Sequence, residues 1–339
     1  MNKKAIALMS GGLDSTVAVK LIVEQGIDVV ALNFKSPFCL CDGSKSEGCK
    51  SHAVAAAEQF DIEIKTLHKG LDYLDIIKTP KYGYGSAINP CVDCRIFTFK
   101  SAKKYMEETG ASFIITGEVL GQRPMSQRRD PMFLIERESG LEGLILRPLS
   151  AKLLPPTLPE IEGIVDREKL LSIQGRSRKE QIKVADDYKI EDYPCASGGC
   201  LLTDKNFGKR MSDAFNHKEN LGWSDVKLLT MGRHFRLNET VKAVVGRNED
   251  ENRRIAALGK KGVVLTPNNF SGPTVYVEEE RNGILDDDLT DMAGALILRF
   301  SKLADDEEPK IDYSSEEKKG AFIARKVLSS DEVDRMWLR

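Results

Sequence analysis

Two groups of residues in this chain have types and spacings that could carry chemistry. The first is Ser10-Gly11-Gly12-Leu13-Asp14-Ser15-Thr16, which lies between an apolar run and a helical pattern. Paired glycines let a backbone approach a ligand closely, and the helix start behind them aims free N–H groups at an anion. Ser10, Ser15 and Thr16 add hydroxyl donors. Asp14 suits a phosphate cradle only where it holds Mg2+ or orients phosphates through water. No lysine follows the glycines, so this is not the Walker pattern. A plain strand–helix turn would need neither two glycines nor hydroxyls on both sides of a carboxylate.

The second group is cysteine. Seven are present, an odd number: Cys39, Cys41 and Cys49; Cys91 and Cys94; Cys195 and Cys200. Asn89-Pro90-Cys91-Val92-Asp93-Cys94 sets a C-x-x-C clamp ahead of a helical pattern. Pro194-Cys195-Ala196-Ser197-Gly198-Gly199-Cys200 puts glycines beside Cys200, where a ligand can come close. In a reducing compartment such clusters favour metal or sulfur chemistry over disulfides. The bland alternative is that a buried thiol serves as a small hydrophobe. Cys39, Cys41 and Cys49 suit a second metal site, a sulfur relay or a simple loop, and spacing does not decide among these.

These groups need elements to hold them. Residues 4–9 and 28–34 read as strands, with a mostly buried helix between them. Residues 51–60 read as a helix, 62–66 as a strand, 95–109 as a helix stopped by Gly110, and 112–116 as a strand. Strand–helix alternation with short turns predicts an α/β fold, a parallel doubly wound sheet covered on both faces. Its ligand belongs at the carboxyl ends of the strands, where the loops after Met9, Phe34 and Thr116 converge. Residues 148–159 hold four prolines and read as an extended wall or linker, and 166–188 as helix. From about Asn206 the texture changes to short strands at 226–229, 241–245, 263–266 and 274–277, a second, smaller α+β domain. The acidic run 305–308 reads as a solvated linker. The expected domains are therefore 1–165, which carries the glycine loop and the C-x-x-C; 166–205, a helical extension carrying the distal cysteines; and 206–339.

Length and charge bound the function class. The 339 residues suit two domains, and 50 basic against 52 acidic residues leave a net charge of −2. The part before Asp166 is balanced and the rest carries −2, so RNA contact must come from a local patch. No run reaches the ~20 apolar residues of a membrane span. The first residues read as a strand and not as a signal peptide, so the expected compartment is the cytoplasm. His52, His68, His217 and His234 show no ligand spacing.

Ser10-Gly11-Gly12-Leu13-Asp14-Ser15 resembles the PP-loop of the ATP pyrophosphatases (adenine nucleotide alpha-hydrolase-like), which cleave ATP between its α and β phosphates. The resemblance implies that Ser10, Gly11, Gly12, Asp14, Ser15 and Thr16 grip the phosphates with Mg2+. It implies that the strand end at Asn33 and Phe34 meets the adenine. The C-x-x-C region and Thr116-Gly117-Glu118-Val119-Leu120-Gly121-Gln122 are similar to the tRNA-thiolation branch, the 2-thiouridylases and 4-thiouridine synthetases. There Gly117, Gln122 and Arg123 join the ATP site, and Ser197-Gly198-Gly199-Cys200 falls where the second essential cysteine lies. Within that branch, a C-x-x-C with one distant cysteine marks members that bind a [4Fe-4S] cluster through three ligands. The resemblance therefore implies Cys91, Cys94 and Cys200 as ligands, with Cys195 as a competitor for the third place and hydrosulfide held on the open iron. The alternative within the same function has Cys94 and Cys200 as persulfide donor and partner.

The implied reaction is adenylation of a uridine carbonyl oxygen, release of pyrophosphate and sulfur insertion, with Asp14, Asp93, Cys94 and Cys200 as catalytic candidates. The implied cofactors are ATP, Mg2+ and the cluster. The implied partners are tRNA and either sulfide or a sulfur-donor protein, with no membrane and a homodimer as the candidate assembly. Arg128, Arg129, Arg176, Arg178 and Lys179 are candidate RNA contacts. Residues from about Lys227, especially 231–236 and 245–252, resemble the NFACT-type RNA-binding domain. Two other classes fit parts of this pattern: a zinc-containing PP-loop ligase acting on a small molecule or nucleobase, and an RNA-binding protein with a relict nucleotide site.

Overall fold

The computed structural model describes residues 1–40, 52–190, 193, 199–258, 262–278, 286–302 and 308–339. Cys41, Cys49, Cys195 and the acidic residues 305–307 lie outside the described residues. The chain divides into two compact units, Met1–Thr203 and Asp204–Arg339.

In the first unit the chain runs β1 (Lys4–Leu8), α1 (Leu13–Val23), β2 (Asp28–Lys35), α2 (His52–Glu58), β3 (Ile64–His68) and α3 (Asp72–Lys78). It continues with α4 (Cys91–Thr109), β4 (Phe113–Thr116), α5 (Arg129–Ser139), β5 (Ile145–Leu146), α6 (Leu158–Ile161) and α7 (Lys179–Asp187). The strands form a parallel sheet in the order β3-β2-β1-β4-β5. Central β1 (KAIAL) and β2 (DVVALNFK) are apolar along their length because both faces are covered. One face buries Val17, Leu21 and Phe113. The other buries Ile6, Leu32, Ile96, Phe99 and Ile114. The predicted doubly wound α/β fold is what the structure has. Gly110 caps α4 at φ +67°, as the left-handed stop requires.

Several local expectations are corrected. The C-x-x-C does not precede the helix; it forms the first turn of α4, because Pro90 supplies the non-helical residue just ahead. Residues 148–159 are not a linker, since Leu149 and Ala151 lie in the core, a 3-10 turn forms at Ala151–Leu153, and Thr157 caps α6. Within 166–188 only Lys179–Asp187 is α-helix, after a 3-10 turn at Arg167–Lys169.

The second unit runs α8 (Lys205–His217), α9 (Trp223–Leu229), β6 (Arg233–Arg236), β7 (Lys242–Val245), α10 (Glu249–Leu258), β8 (Val263–Pro267), β9 (Val275–Glu278), α11 (Asp287–Arg299), β10 (Lys310–Ser314), β11 (Lys319–Ile323) and α12 (Ser330–Met336). Its antiparallel sheet has the order β11-β10-β8-β9-β7-β6. It buries Phe235, Val275, Leu296 and Ile311 among its core residues. Residues 226–229 are helix and not strand. A four-residue apolar run fits either, and here Asp225 accepts the Gly222 N–H at 2.7 Å and fixes a helix start. Among the described residues no helix is long and apolar enough to cross a membrane.

Candidate active site

The phosphate loop is built as its residue types require. Gly11 has φ +77°, and a β-carbon there would sit 2.3 Å from the His52 carbonyl carbon. Only glycine permits that approach of the loop to α2. Gly12 is the N-cap of α1, and its carbonyl accepts from Ser15 Oγ at 2.9 Å and Thr16 Oγ1 at 3.1 Å. Ser10 Oγ lies 3.1 Å from Ser15 Oγ. Asp14 Oδ2 accepts from Gln122 Nε2 at 3.1 Å and has Arg178 Nη2 at 3.9 Å. Its Oδ1 is buried with no partner among the described residues, an acceptor suited to Mg2+ or a donor that arrives with the phosphates. At the end of β2, Asn33 is buried and donates to the Met9 carbonyl at 2.7 Å, and its Oδ1 has no partner among the described residues. Phe34 follows at the same strand end.

The thiols gather at the same carboxyl ends of the sheet. Cys91 and Cys94 lie on the first turn of α4, where the positive end of the helix dipole favours negative sulfur. Asn89 Nδ2 donates to Cys91 Sγ at 3.1 Å. Lys69 Nζ, just after β3, donates to Cys94 Sγ at 2.9 Å, and Tyr73 of α3 donates a second hydrogen bond to it. Burial pushes the Cys94 thiol up, but the Lys69 charge and these hydrogen bonds override it and leave Cys94 below the ordinary thiol value. Burial dominates at the other two: Cys91 is raised, and Cys200 is pushed up to about 11. Cys200 stands opposite Cys39 in an antiparallel bridge, and its thiol senses the charges of Cys94, Cys39 and Cys91. Cys91, Cys94 and Cys200 are thus neighbours. All four cysteines are half-buried thiols.

One loop joins the two halves. A β-carbon on Gly117 would fall 2.5 Å from Ser15 N, so this residue seats directly on the phosphate loop. Five residues on, Gln122 holds Asp14. Arg123 is exposed and its charge reaches Cys91, while Met125 Sδ lies 3.7 Å from Asn89 Nδ2. Behind the loop, Glu118 accepts from Arg95 Nε at 2.8 Å and Arg147 Nε at 3.0 Å, and Arg147 also bonds Glu136. These partners hold the Glu118 carboxyl below its usual range although burial pushes the other way.

Sequence reasoning missed Lys69, Tyr73 and the Arg95–Glu118–Arg147–Glu136 network, because a lone lysine or a paired buried charge carries no motif. Asp93 accepts the main-chain N–H groups of Lys81 at 2.9 Å and Tyr82 at 3.1 Å, which anchors that turn to α4. It does not cap its own helix. Arg128, Arg129, Arg176 and Lys179 are exposed and Arg178 is partly so. Buried His234 belongs to the second unit, where Nε2 bonds the Met231 carbonyl and burial holds the ring well below its ordinary value.

Thiols are the donor chemistry of iron–sulfur clusters. Among the described residues no three His, Cys, Asp or Glu side chains form a group that could hold a metal ion. The donor type fits, while the thiols stand as neighbours and not as a closed ligand set.

Comparison with known proteins follows the same division. Residues 1–152 match the family model described as thiamine biosynthesis protein (ThiI), and residues 232–338 match the NFACT protein RNA binding domain. The chain resembles the PP-loop thiouridine synthetases. It is 35% identical over 127 residues to tRNA-specific 2-thiouridylase MnmA of Clostridium acetobutylicum, covering 34% of this chain and 36% of that protein. It is 23% identical over 342 residues to tRNA-specific 2-thiouridylase MnmA 1 of Clostridium botulinum, covering 95% and 88%. The chain spans about a third of the length of several curated relatives it matches. Among solved structures, the U34-tRNA thiolase NcsA from Methanococcus maripaludis with its [4Fe-4S] cluster is 19% identical, with 67% of this chain and 70% of that chain covered and a TM-score of 0.31. A superposition that loose carries no argument about this chain.

Proposed function

We propose that this chain is an ATP-dependent tRNA thiolation enzyme, which adenylates a uridine carbonyl oxygen, releases pyrophosphate and replaces that oxygen by sulfur. One observation carries the reading: residues 117–125 touch the phosphate loop at Gly117 and Gln122, while the charge of Arg123 acts on Cys91 and Met125 meets Asn89, the residue that donates to Cys91 Sγ. A single loop spans the adenylating and the sulfur-bearing halves.

In this reading Ser10, Gly11, Gly12, Ser15 and Thr16 hold the β and γ phosphates with hydroxyls and the N–H groups that open α1. Asp14 offers Oδ1 to Mg2+, and Gln122 keeps that carboxylate turned toward the phosphates. Asn33 and Phe34 bound the adenine, and Gly117 lets the nucleotide lie close. Arg123 meets charge that develops as the carbonyl oxygen attacks the α-phosphorus, and fixed donors of this kind lower the barrier because they need no reorganisation. Adenylation turns a poor leaving oxygen into AMP.

A [4Fe-4S] cluster held by Cys91, Cys94 and Cys200 would supply sulfide as the nucleophile. Lys69 and Tyr73 hold the Cys94 thiol below its ordinary value. Arg128, Arg129, Arg176, Arg178 and Lys179 meet RNA phosphates, and the sulfur comes from sulfide or a donor protein. A second reading has Cys94 and Cys200 as persulfide donor and partner; the Lys69–Cys94 contact favours it, since a lowered thiol is the better nucleophile at neutral pH. The test incubates anaerobically reconstituted protein with tRNA, ATP and sulfide and measures thiolated nucleosides by mass spectrometry. Thiouridine that is lost in Cys200→Ala supports the proposal, and full activity of that variant rejects the role of Cys200.

A further inference from the structure

Cys39 belongs to no motif that the thiolation reading uses, yet it lies directly across from Cys200. The pairing is defined by two flanking hydrogen bonds: Leu40 N–H donates to the Gly199 carbonyl at 3.0 Å, and Leu201 N–H to the Phe38 carbonyl at 2.8 Å. Neither bond joins Cys39 and Cys200 themselves, so they are the non-hydrogen-bonded pair of an antiparallel ladder. Such residues have Cα atoms about 4.5 Å apart, and their side chains leave the same face. Disulfides accept Cα separations of roughly 4.4–6.8 Å, so the spacing falls at the short end of what a bridge allows. Cys91 and Cys94 share one helical turn and have no such cross-strand register with Cys200. Both Cys39 and Cys200 are thiols and only half-buried, within reach of a small reagent.

We propose that Cys39 and Cys200 form a reversible cross-strand disulfide, with Cys39 and not Cys94 as the thiol partner of Cys200. The bridge forms by exchange with a small disulfide. One thiolate attacks oxidised glutathione and releases one glutathione thiol, and the other then attacks the mixed disulfide and releases the second. The two protons lost from the cysteines leave with the two glutathione thiols, and the two cysteine sulfurs are oxidised as glutathione is reduced. The bridge needs only the pairing of residues 38–40 with 199–201. Its consequence rests on the proposed function: while closed, it withholds Cys200 from Cys91 and Cys94, so the sulfur site assembles only after reduction.

The test uses the full, metal-free chain, incubated anaerobically with oxidised glutathione, quenched in acid and alkylated, with links mapped by mass spectrometry. The wild type is expected to lose two alkylation labels and yield a peptide joining Cys39 to Cys200, and excess dithiothreitol restores both labels. The Cys94→Ser variant forms the same link. In Cys39→Ser, checked for folding by circular dichroism, the link is absent and Cys200 carries glutathione instead. Cys200 joined to Cys94, Cys91 or any other cysteine overturns the proposal, as does alkylation of both Cys39 and Cys200 while other cysteines react. Linking needs neither ATP nor RNA. A chain that bridges but thiolates no RNA therefore keeps the pair and loses the sulfur-transfer reading, and a chain that thiolates without bridging does the reverse.

Discussion

At the residue scale, charge decides what the thiols can do. Cys94 sits 2.9 Å from Lys69 Nζ, whereas burial is the dominant influence on Cys200 among the described residues. Burial and Lys69 act in opposite senses on Cys94, and the lysine wins, so its thiolate persists to lower pH than a free cysteine's. In the metal-free protein, Lys69→Met is expected to move the pH midpoint of Cys94 alkylation upward and slow labelling at neutral pH several-fold; an unmoved midpoint would remove Lys69 from the account. Arg147 makes the complementary case. Its side chain is 2% exposed between Glu118 and Glu136, and removing one partner of a buried network leaves uncompensated charge. Arg147→Met should lower stability by about 3–5 kcal/mol in urea denaturation. The folded-state value of Glu118 is depressed, so its contribution is complete above the ordinary glutamate range and is lost as pH falls through the depressed value. The melting-temperature gap between wild type and Glu118→Gln should be widest near neutral pH and close in acid. Cys94 and Cys200 were legible as candidates, but the Lys69 contact and the Arg147 network were not, because a charge pair is made by contact across the fold and leaves no spacing in the chain.

At the scale of elements, the site depends on how closely backbone segments meet. Gly117, just after β4, lies against Ser15 N, with room for no side chain. Gly117→Ala must push the loop or the start of α1 aside, at about 1–3 kcal/mol of stability. ATP affinity measured by calorimetry should fall with it, and unchanged affinity would contradict the seating of the nucleotide there. The elements themselves were largely readable. Residues 4–9 and 28–34 are apolar in a way that only a doubly covered strand explains, and Gly110 marks the end of α4. The errors came where the sequence pattern was short or ambiguous. Residues 226–229 turned out helical because Asp225 fixes the helix start, and residues 148–159 joined the core through Leu149 and Ala151 despite their prolines. Of the candidate site, the phosphate loop and the C-x-x-C were legible as motifs. The opposition of Cys39 and Cys200 was not, since about 160 residues separate them and only the ladder brings them together.

At the scale of the whole molecule, a net charge of −2 leaves no general attraction for RNA, so binding must come from local arginines and lysines. Arg128→Ala with Arg129→Ala is expected to weaken tRNA binding evenly across sequences and flatten its salt dependence. The slope of log affinity against log salt should fall by about 0.7–0.9 for each phosphate contact removed. A salt slope equal to that of the wild type would take these two arginines out of the interface. The central claim is that a uridine oxygen is carried away on AMP before sulfur takes its place. The most direct measurement labels the target uracil carbonyl of tRNA with oxygen-18, supplies ATP and sulfide, and weighs the AMP that is released. The account predicts oxygen-18 in the AMP and none in the pyrophosphate, in step with thiouridine formed. Thiouridine accompanied by unlabelled AMP would contradict it.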